Sequence, residues 1–381
     1  MRPGEFMVRY GSVTTKFMVS RLRDSIVRVL NRNNYRYENV DIVGGSRIVV
    51  SGLSSTIAEE VAGKLAKVFG VSSTSPVVMV DYNLSMITDV LIDMISHSKP
   101  KSIRLRVMGE SGYNRLFLEK LLASIIVNEA KTYIDLRSPD EEYIIDIRQG
   151  KAYITNKIYR GVGGLPYGVE GCLVVLLSGG VDSSLAAWYA MKRGARIIPV
   201  FIDLGKYWSE QARRRFYEAL SLVYEWVPWD KIKTYIVRGA EKILESTNIP
   251  ARLRCLLCKA NMYRIASIIA DKEECLGIVT GEAVGQVASQ TLRNLYILSS
   301  ISPKPIYRPV AFMDKLEIIE QARKLGFHIL SRDVGTCLLR PPHPETSASR
   351  EDYYILKQAL QDTMDIAIKL VNQAEVKYYS T

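Results

Sequence analysis

The chain has 381 residues, of which 48% are hydrophobic and 24% charged, and its 51 Lys and Arg outnumber 40 Asp and Glu to give a net charge of +11. That length exceeds one small domain, and the composition excludes global disorder. The positive surplus leaves a polyanionic partner, most simply nucleic acid, and a merely basic surface evenly matched.

Met1–Phe6 reads as an extension before a strand-like start at Met7–Tyr10. Helical periodicity follows over Lys16–Asn31, then a strand pattern over Val40–Val50 broken at Gly44-Gly45, then a short helix over Thr56–Phe69. Ser85–Ser96 is an amphipathic helix, Ser102–Val107 alternates as a strand, and Leu116–Asn128 is helical. Tyr143–Arg148 and Lys151–Asn156 read as a hairpin around Gln149-Gly150. The glycine-rich run Gly161–Gly171 is a linker, without the spacing of a dinucleotide or GKS-type loop.

Beyond it, Cys172–Leu177 is a continuous apolar strand, as in a buried parallel sheet. Helix and strand then alternate: Ser183–Lys192, Arg196–Ile202, Ser209–Trp226, Lys233–Val237, Cys258–Asp271, Gly277–Thr280 and Lys315–Leu325. The expectation is α/β, with a doubly wound parallel sheet in this half and helix over Thr346–Glu375.

Three histidines, His97, His328 and His343, argue against His-rich metal sites and a His-centred triad. Five cysteines do not read as a secreted disulfide framework. No apolar run approaches the roughly 18 residues of a membrane span, and residues 1–20 lack a signal-peptide core. A cytoplasmic protein without a membrane segment is expected. No basic tail exists, so a polyanion would have to bind a folded surface.

The sharpest local signal is Leu177-Ser178-Gly179-Gly180-Val181-Asp182-Ser183-Ser184, between an apolar strand and a helix. Two glycines let backbone approach a phosphate, the helix start favours an anion, and Ser178 and Ser183 add hydroxyls. Asp182 suits a bridging Mg²⁺ or a helix cap. The run resembles the signature of the PP-loop ATP pyrophosphatases, which split ATP between its α and β phosphates. That resemblance implies adenosine near Phe201, Ile202 and Asp203. Thr280-Gly281-Glu282 with Gln286, Ser289 and Gln290, Arg308-Pro309 through Asp314-Lys315, Gly163-Gly164-Leu165-Pro166, and Arg9-Tyr10-Gly11 with Lys16 and Arg21 together resemble the ThiI family of tRNA 4-thiouridine synthetases. The family's Glu after Arg-Tyr-Gly is Ser12 here, and Ser184 replaces its usual Pro.

The resemblance implies a ferredoxin-like N-terminal domain over 1–72, a THUMP RNA-binding domain over 73–166 and a PP-loop domain over 167–381. It implies ATP with Mg²⁺ at Leu177 to Ser183, with Gly281, Glu282 and Gln290 facing the nucleotide. No rhodanese domain follows, so sulfur delivery would differ from that of many bacterial relatives. Asp314 with Glu317 fits a capping box. Lys315 in a first helical turn opposes the dipole and is expected to face phosphate.

Cys255 and Cys258 start a helix, and Cys337 lies in a later loop. Thiols at a helix N-terminus are expected to have lowered pKa values. Three thiolates without a fourth suit a [4Fe–4S] cluster with one open iron, or a [3Fe–4S] cluster, as in some archaeal relatives. A redox trio with a persulfide on Cys337, and inert thiols, rank below. Cys172 reads as a core residue, and Cys275 has no assigned role. Lys16, Arg21, Lys99, Lys101, Arg104, Arg106, Arg115 and Arg160 are candidate phosphate contacts, though any one is more often a solvated charge.

The expected activity is thiolation of uridine 8 of tRNA, with Asp182, Lys315, Cys255, Cys258 and Cys337 as catalytic residues. The sulfur would come from sulfide or a cysteine desulfurase persulfide. Another tRNA base or an amidation acceptor is the alternative, and a non-catalytic RNA-binding protein the third reading. The oligomeric state is left open, a homodimer included.

Overall fold

The computed structural model describes residues 1–3, 12–110, 112–331 and 337–380. The expected strand at Met7–Tyr10, the Arg9-Tyr10-Gly11 motif and Gly335-Thr336 lie outside them. The chain divides into two compact units, 1–164 and 165–381.

In the first unit, β1 (Arg2–Pro3) precedes α1 (Ser12–Arg32), whose Val19, Leu22, Ile26, Val29 and Leu30 are buried on one face. The strand pattern that breaks at Gly44-Gly45 is a hairpin, β2 (Val40–Val43) and β3 (Arg47–Val50), because Gly44 and Gly45 take φ of +55° and +66° and turn the chain. Helix α2 (Ser55–Leu65) closes this core with Val61 and Leu65, and β4 (Val71–Thr74) follows.

Strand β5 (Val78–Asp81), α3 (Leu84–Ser98), β6 (Ser102–Gly109), α4 (Arg115–Ala130), β7 (Tyr133–Ile134), β8 (Glu141–Arg148) and β9 (Lys151–Thr155) form a second core. Their sheet runs β5-β9-β8-β6-β7, and Leu91, Ile95, Leu122 and Ile126 pack onto it. The β8–β9 hairpin turns at Gln149 and Gly150, both with positive φ. β10 (Tyr159–Arg160) pairs with β4.

The second unit carries β11 (Cys172–Leu176), α5 (Val181–Lys192), β12 (Arg196–Ile202), α6 (Glu210–Tyr224), β13 (Ile232–Val237), α7 (Glu241–Glu245) and α8 (Arg254–Lys272). After these come β14 (Ile278–Val279), α9 (Leu292–Ile301), β15 (Ile306–Tyr307), α10 (Lys315–Lys324), α11 (Arg350–Asp362), α12 (Met364–Asn372) and β16 (Glu375–Tyr379). The sheet order is β15-β14-β11-β12-β13-β16, with β16 antiparallel to an otherwise parallel sheet. β11 lies between β12 and β14, so the winding reverses beside it. In such sheets the crevice at the strands' carboxyl ends is the binding place.

The expected C-terminal helix is instead two helices and an edge strand. The break falls at Thr363, whose hydroxyl donates to the Ala359 carbonyl at 2.8 Å. Neither Pro nor Gly marks it. Arg264 of α8 is buried there and donates weakly to Thr363 Oγ1 (3.4 Å), and desolvation pulls its pKa down to about 10.

Cys172 and Cys275, expected as a core residue and a residue without role, form a disulfide across 103 residues of sequence. Their backbones already meet where Leu276 N–H donates to the Cys172 carbonyl at 2.8 Å. Both side chains are buried.

Candidate active site

The loop that leaves β11 is held from below. Leu177 is buried and its N–H donates to the Val200 carbonyl at 3.0 Å. Gly179 has φ of +84°, and a Cβ there would lie 2.7 Å from the Phe216 nitrogen, so glycine is demanded twice. Gly180 differs. Its backbone is extended, and a Cβ would meet only Ser178 Oγ at 3.5 Å. Protein packing does not require glycine there, and the space beside it is open for a ligand.

Gly180 also caps α5 without a side-chain acceptor, which leaves the first helical N–H groups available to an anion. Val181 is buried beneath them. Ser183 Oγ donates to the Gly180 carbonyl at 3.0 Å and sits 3.2 Å from Ser178 Oγ, so the two hydroxyls line the same turn.

Asp182 lies in the first turn of α5 rather than at the cap. Its carboxylate accepts from Lys315 Nζ at 2.7 and 3.0 Å and from Gln286 Nε2 at 3.1 Å. The Asp314–Glu317 capping box is present as expected and fixes the start of α10, with Leu316 N–H at 2.8 Å and Glu317 N–H at 2.9 Å from Asp314 Oδ1. Two residues from distant segments therefore converge on the loop aspartate. Lys315 stays half exposed, so its cation can reach a bound anion.

Behind the loop stands Gly281. A Cβ there would strike the Ser183 nitrogen and the Asp182 carbonyl carbon, so the chain after β14 lies directly against the loop backbone. The next residue, Glu282, is 4% exposed, which excludes a solvated turn acid. Its carboxylate accepts from Lys259 Nζ (2.6 Å), Tyr263 Oη (2.5 Å), Thr280 Oγ1 (2.9 Å) and Arg308 Nε (2.8 Å). Burial alone would raise its pKa. Lys259, Tyr263 and Arg308 outweigh that and hold it down at about 2. Ser289 is buried nearby in sequence, and Gln290 keeps its side-chain oxygen buried without a hydrogen-bond partner among the described residues.

Phe201 and Ile202 end β12 and Asp203 follows it, all three with buried side chains. Phe201 stacks on Phe216 at 4.6 Å between centroids. Asp203 receives Arg213 at 2.8 and 3.2 Å and the Gly205 N–H at 3.0 Å. These side chains shape the wall and are already occupied by protein partners.

The three remaining cysteines are free. Cys255 and Cys258 lie in the first turn of α8, and Cys337 is exposed and close enough to both to act on them electrostatically. The expected lowering of the two helix thiols is overturned. Burial, and then charge repulsion with the neighbouring Cys337, push Cys255 up, and burial pushes Cys258 up to about 12. Lys259 pulls against this at both. Among the described residues no three His, Cys, Asp or Glu side chains are spaced to hold a metal ion.

In the first unit, Lys16, Arg21, Lys99, Lys101, Arg106, Arg115 and Arg160 are exposed. Arg104 and Arg106 converge on Glu142 from one strand, at 3.6 and 3.9 Å. Lys16 and Arg21 share α1, and the others are spread over further segments of the unit. No helix among the described residues is long and apolar enough to cross a membrane.

Sequence reasoning missed Lys259 and Tyr263 altogether and gave Arg308 no role of its own. The available signal was the spacing of Cys255, Lys259 and Tyr263 at four-residue intervals, which puts them on one helix face.

The family model described as Thiamine biosynthesis protein (ThiI) matches residues 168–361. A "Probable tRNA sulfurtransferase" of Methanosarcina mazei is 33% identical over 97% of this chain and 94% of its own. Another so named, of Sulfurisphaera tokodaii, is 33% identical over 82% and 84%. The crystal structure of a 4-thiouridine synthetase–RNA complex with bound ATP superposes with a TM-score of 0.86 at 25% identity, covering 100% of this chain and 98% of that one. On a phosphate loop at the sheet's reversal, gripped by Asp182 and Lys315, and on these likenesses together, the chain belongs to the ThiI family.

Proposed function

We propose that the protein is an ATP-dependent tRNA sulfurtransferase that converts uridine 8 to 4-thiouridine in the cytoplasm. The observation that carries this is the loop mouth: uncapped α5, the open space at Gly180, and the Asp182–Lys315 pair beside it. ATP phosphates would lie on the N–H groups of α5 and the hydroxyls of Ser178 and Ser183. Asp182 is the residue that would hold Mg²⁺, and Lys315 would turn its charge to the phosphates.

Uridine O4 attacks the α-phosphorus, the bond to the β-phosphate oxygen breaks, and pyrophosphate leaves while the N3 proton passes to solvent. A sulfur nucleophile then adds at C4, and AMP departs with the original oxygen. Residues 1–72 and 73–166 are assigned as ferredoxin-like and THUMP domains that grip tRNA, with Lys16, Arg21, Lys101, Arg104, Arg106, Arg115 and Arg160 on phosphates. Such binding weakens steeply as salt rises.

Cys255, Cys258 and Cys337 fit an iron–sulfur cluster in donor type, being three free thiols beside Lys259, Arg254 and Arg340. Their spacing as found is not that of a closed ligand set. A bound cluster would supply an open iron for a sulfide. The exposure of Cys337 favours a second reading, in which it accepts a persulfide from a cysteine desulfurase and Cys255 or Cys258 resolves it. Anaerobic iron and sulfide analysis separates them: stoichiometric iron that is lost in Cys337→Ala supports the cluster, and full thiolation by iron-free protein with a persulfide donor refutes it.

A further inference from the structure

The face of α8 that begins with Cys255 continues through Lys259 and Tyr263, four residues apart each time, so the three side chains form one row. Two of them end on the same buried carboxylate, Lys259 at 2.6 Å and Tyr263 at 2.5 Å from Glu282. Glu282 is joined directly to Gly281, whose backbone lies against Asp182 and Ser183. Arg308 reaches the same carboxylate at 2.8 Å, and its segment leads on to Lys315, which grips Asp182. A continuous line of contacts thus runs from the cysteine-bearing turn to both sides of the phosphate loop, and Lys259, Tyr263, Glu282 and Arg308 within it are all largely buried.

We infer that Lys259, Tyr263 and Glu282 form a positioning strut that sets the sulfur-bearing turn of α8 against the phosphate loop, so that sulfur reaches the adenylated base before water does. This rests on the function proposed above. The strut touches no substrate. Its effect falls on the second half of the reaction, where a nucleophile carried by one element must meet a carbon activated on another, and displacements near 1 Å cost about a hundredfold in such steps. Adenylation needs only the loop, Lys315 and the base, and is less sensitive. Loosening the strut lets water intercept the adenylate, regenerating uridine and AMP with pyrophosphate already spent.

The test measures 4-thiouridine formed per pyrophosphate released, with full-length protein, tRNA and ATP under anaerobic conditions, the sulfur supplied as sodium sulfide to iron-loaded protein or as the persulfide of a cysteine desulfurase to iron-free protein, whichever the wild type uses. Lys259→Met should lower that ratio about tenfold or more while pyrophosphate release falls much less. Lys259→Arg, which can still donate to Glu282, should recover most of it. Should Lys259→Met fail to fold, Tyr263→Phe removes one hydroxyl and carries the same expectation. An unchanged ratio, with both yields falling together or neither falling, would overturn the strut, as would a Lys259→Arg variant no better than Lys259→Met. Wild-type protein that releases no tRNA-dependent pyrophosphate would fail on the function itself and take the strut's role with it.

Discussion

Two carboxylates stand within a few residues of the same loop contact, and they are built for different work. Asp182 at the mouth is one-fifth exposed and holds a half-exposed lysine and a glutamine. Glu282 in the wall is shut away from water and saturated by four donors. A pair open to solvent contributes little to stability and can exchange partners when an anion or cation arrives. A buried pair is costly to break because the remaining charge is stranded. The mouth is therefore where substitution should cost pyrophosphate release, and the wall is where it should cost stability and, through the strut, the yield of 4-thiouridine.

The wall's longest cross-link offers the largest effect. The Cys172–Cys275 disulfide closes a loop of 103 residues, worth about 4–5 kcal/mol in the chain-entropy account. Thermal unfolding should shift sharply downward when wild-type protein is reduced under denaturing conditions and then refolded, whereas a Cys172→Ala/Cys275→Ala variant should melt alike with and without reductant. At the mouth, Lys315→Ala should lower tRNA-dependent pyrophosphate release about 10²–10³-fold with little change in melting temperature. A comparable loss of stability would place Lys315 in the wall instead.

Glu282→Gln tests the opposite case. Its folded pKa near 2 lies below the ordinary value of 4.5, so the unfolded chain binds the proton more readily. The contribution, about 3 kcal/mol, is present above pH 4.5 and is lost as pH falls toward 2. Urea unfolding between pH 5 and about 2.5 should show a shallower pH slope in Glu282→Gln than in wild type. Equal slopes would mean that the carboxylate is not held as the structure places it.

The adjacent glycines give the smallest and cleanest contrast. Gly179→Ala forces a Cβ onto Phe216 backbone at positive φ and should destabilise by about 1–3 kcal/mol. Gly180→Ala meets only a serine hydroxyl and should leave stability within about 0.5 kcal/mol, while equilibrium binding of ATP weakens.

The loop was readable because its parts are contiguous: strand, two glycines, Asp182 and helix follow one another in sequence, and the capping box from Asp314 to Glu317 spans four residues. The burial of Glu282 was not, because its donors Lys259, Tyr263 and Arg308 come from 19 to 26 residues away on either side, and only a resemblance had given the residue a place, facing the nucleotide. The thiols misled for a related reason. Helix position predicts a lowered pKa, but the packing of Cys258 against the core decides it, and that packing is tertiary. The Cys172–Cys275 bond joins a strand to the start of another that pairs beside it, which no local spacing reveals. The break at Thr363 and the edge strand at Glu375–Tyr379 escaped because neither carries Pro or Gly.

The account stands most directly on one measurement, pyrophosphate release by wild-type protein with ATP and tRNA, scored together with 4-thiouridine. It predicts release that requires tRNA, and 4-thiouridine that disappears when uridine 8 is replaced by cytidine. Release independent of tRNA, or thiolation that persists in the cytidine 8 transcript, would contradict it.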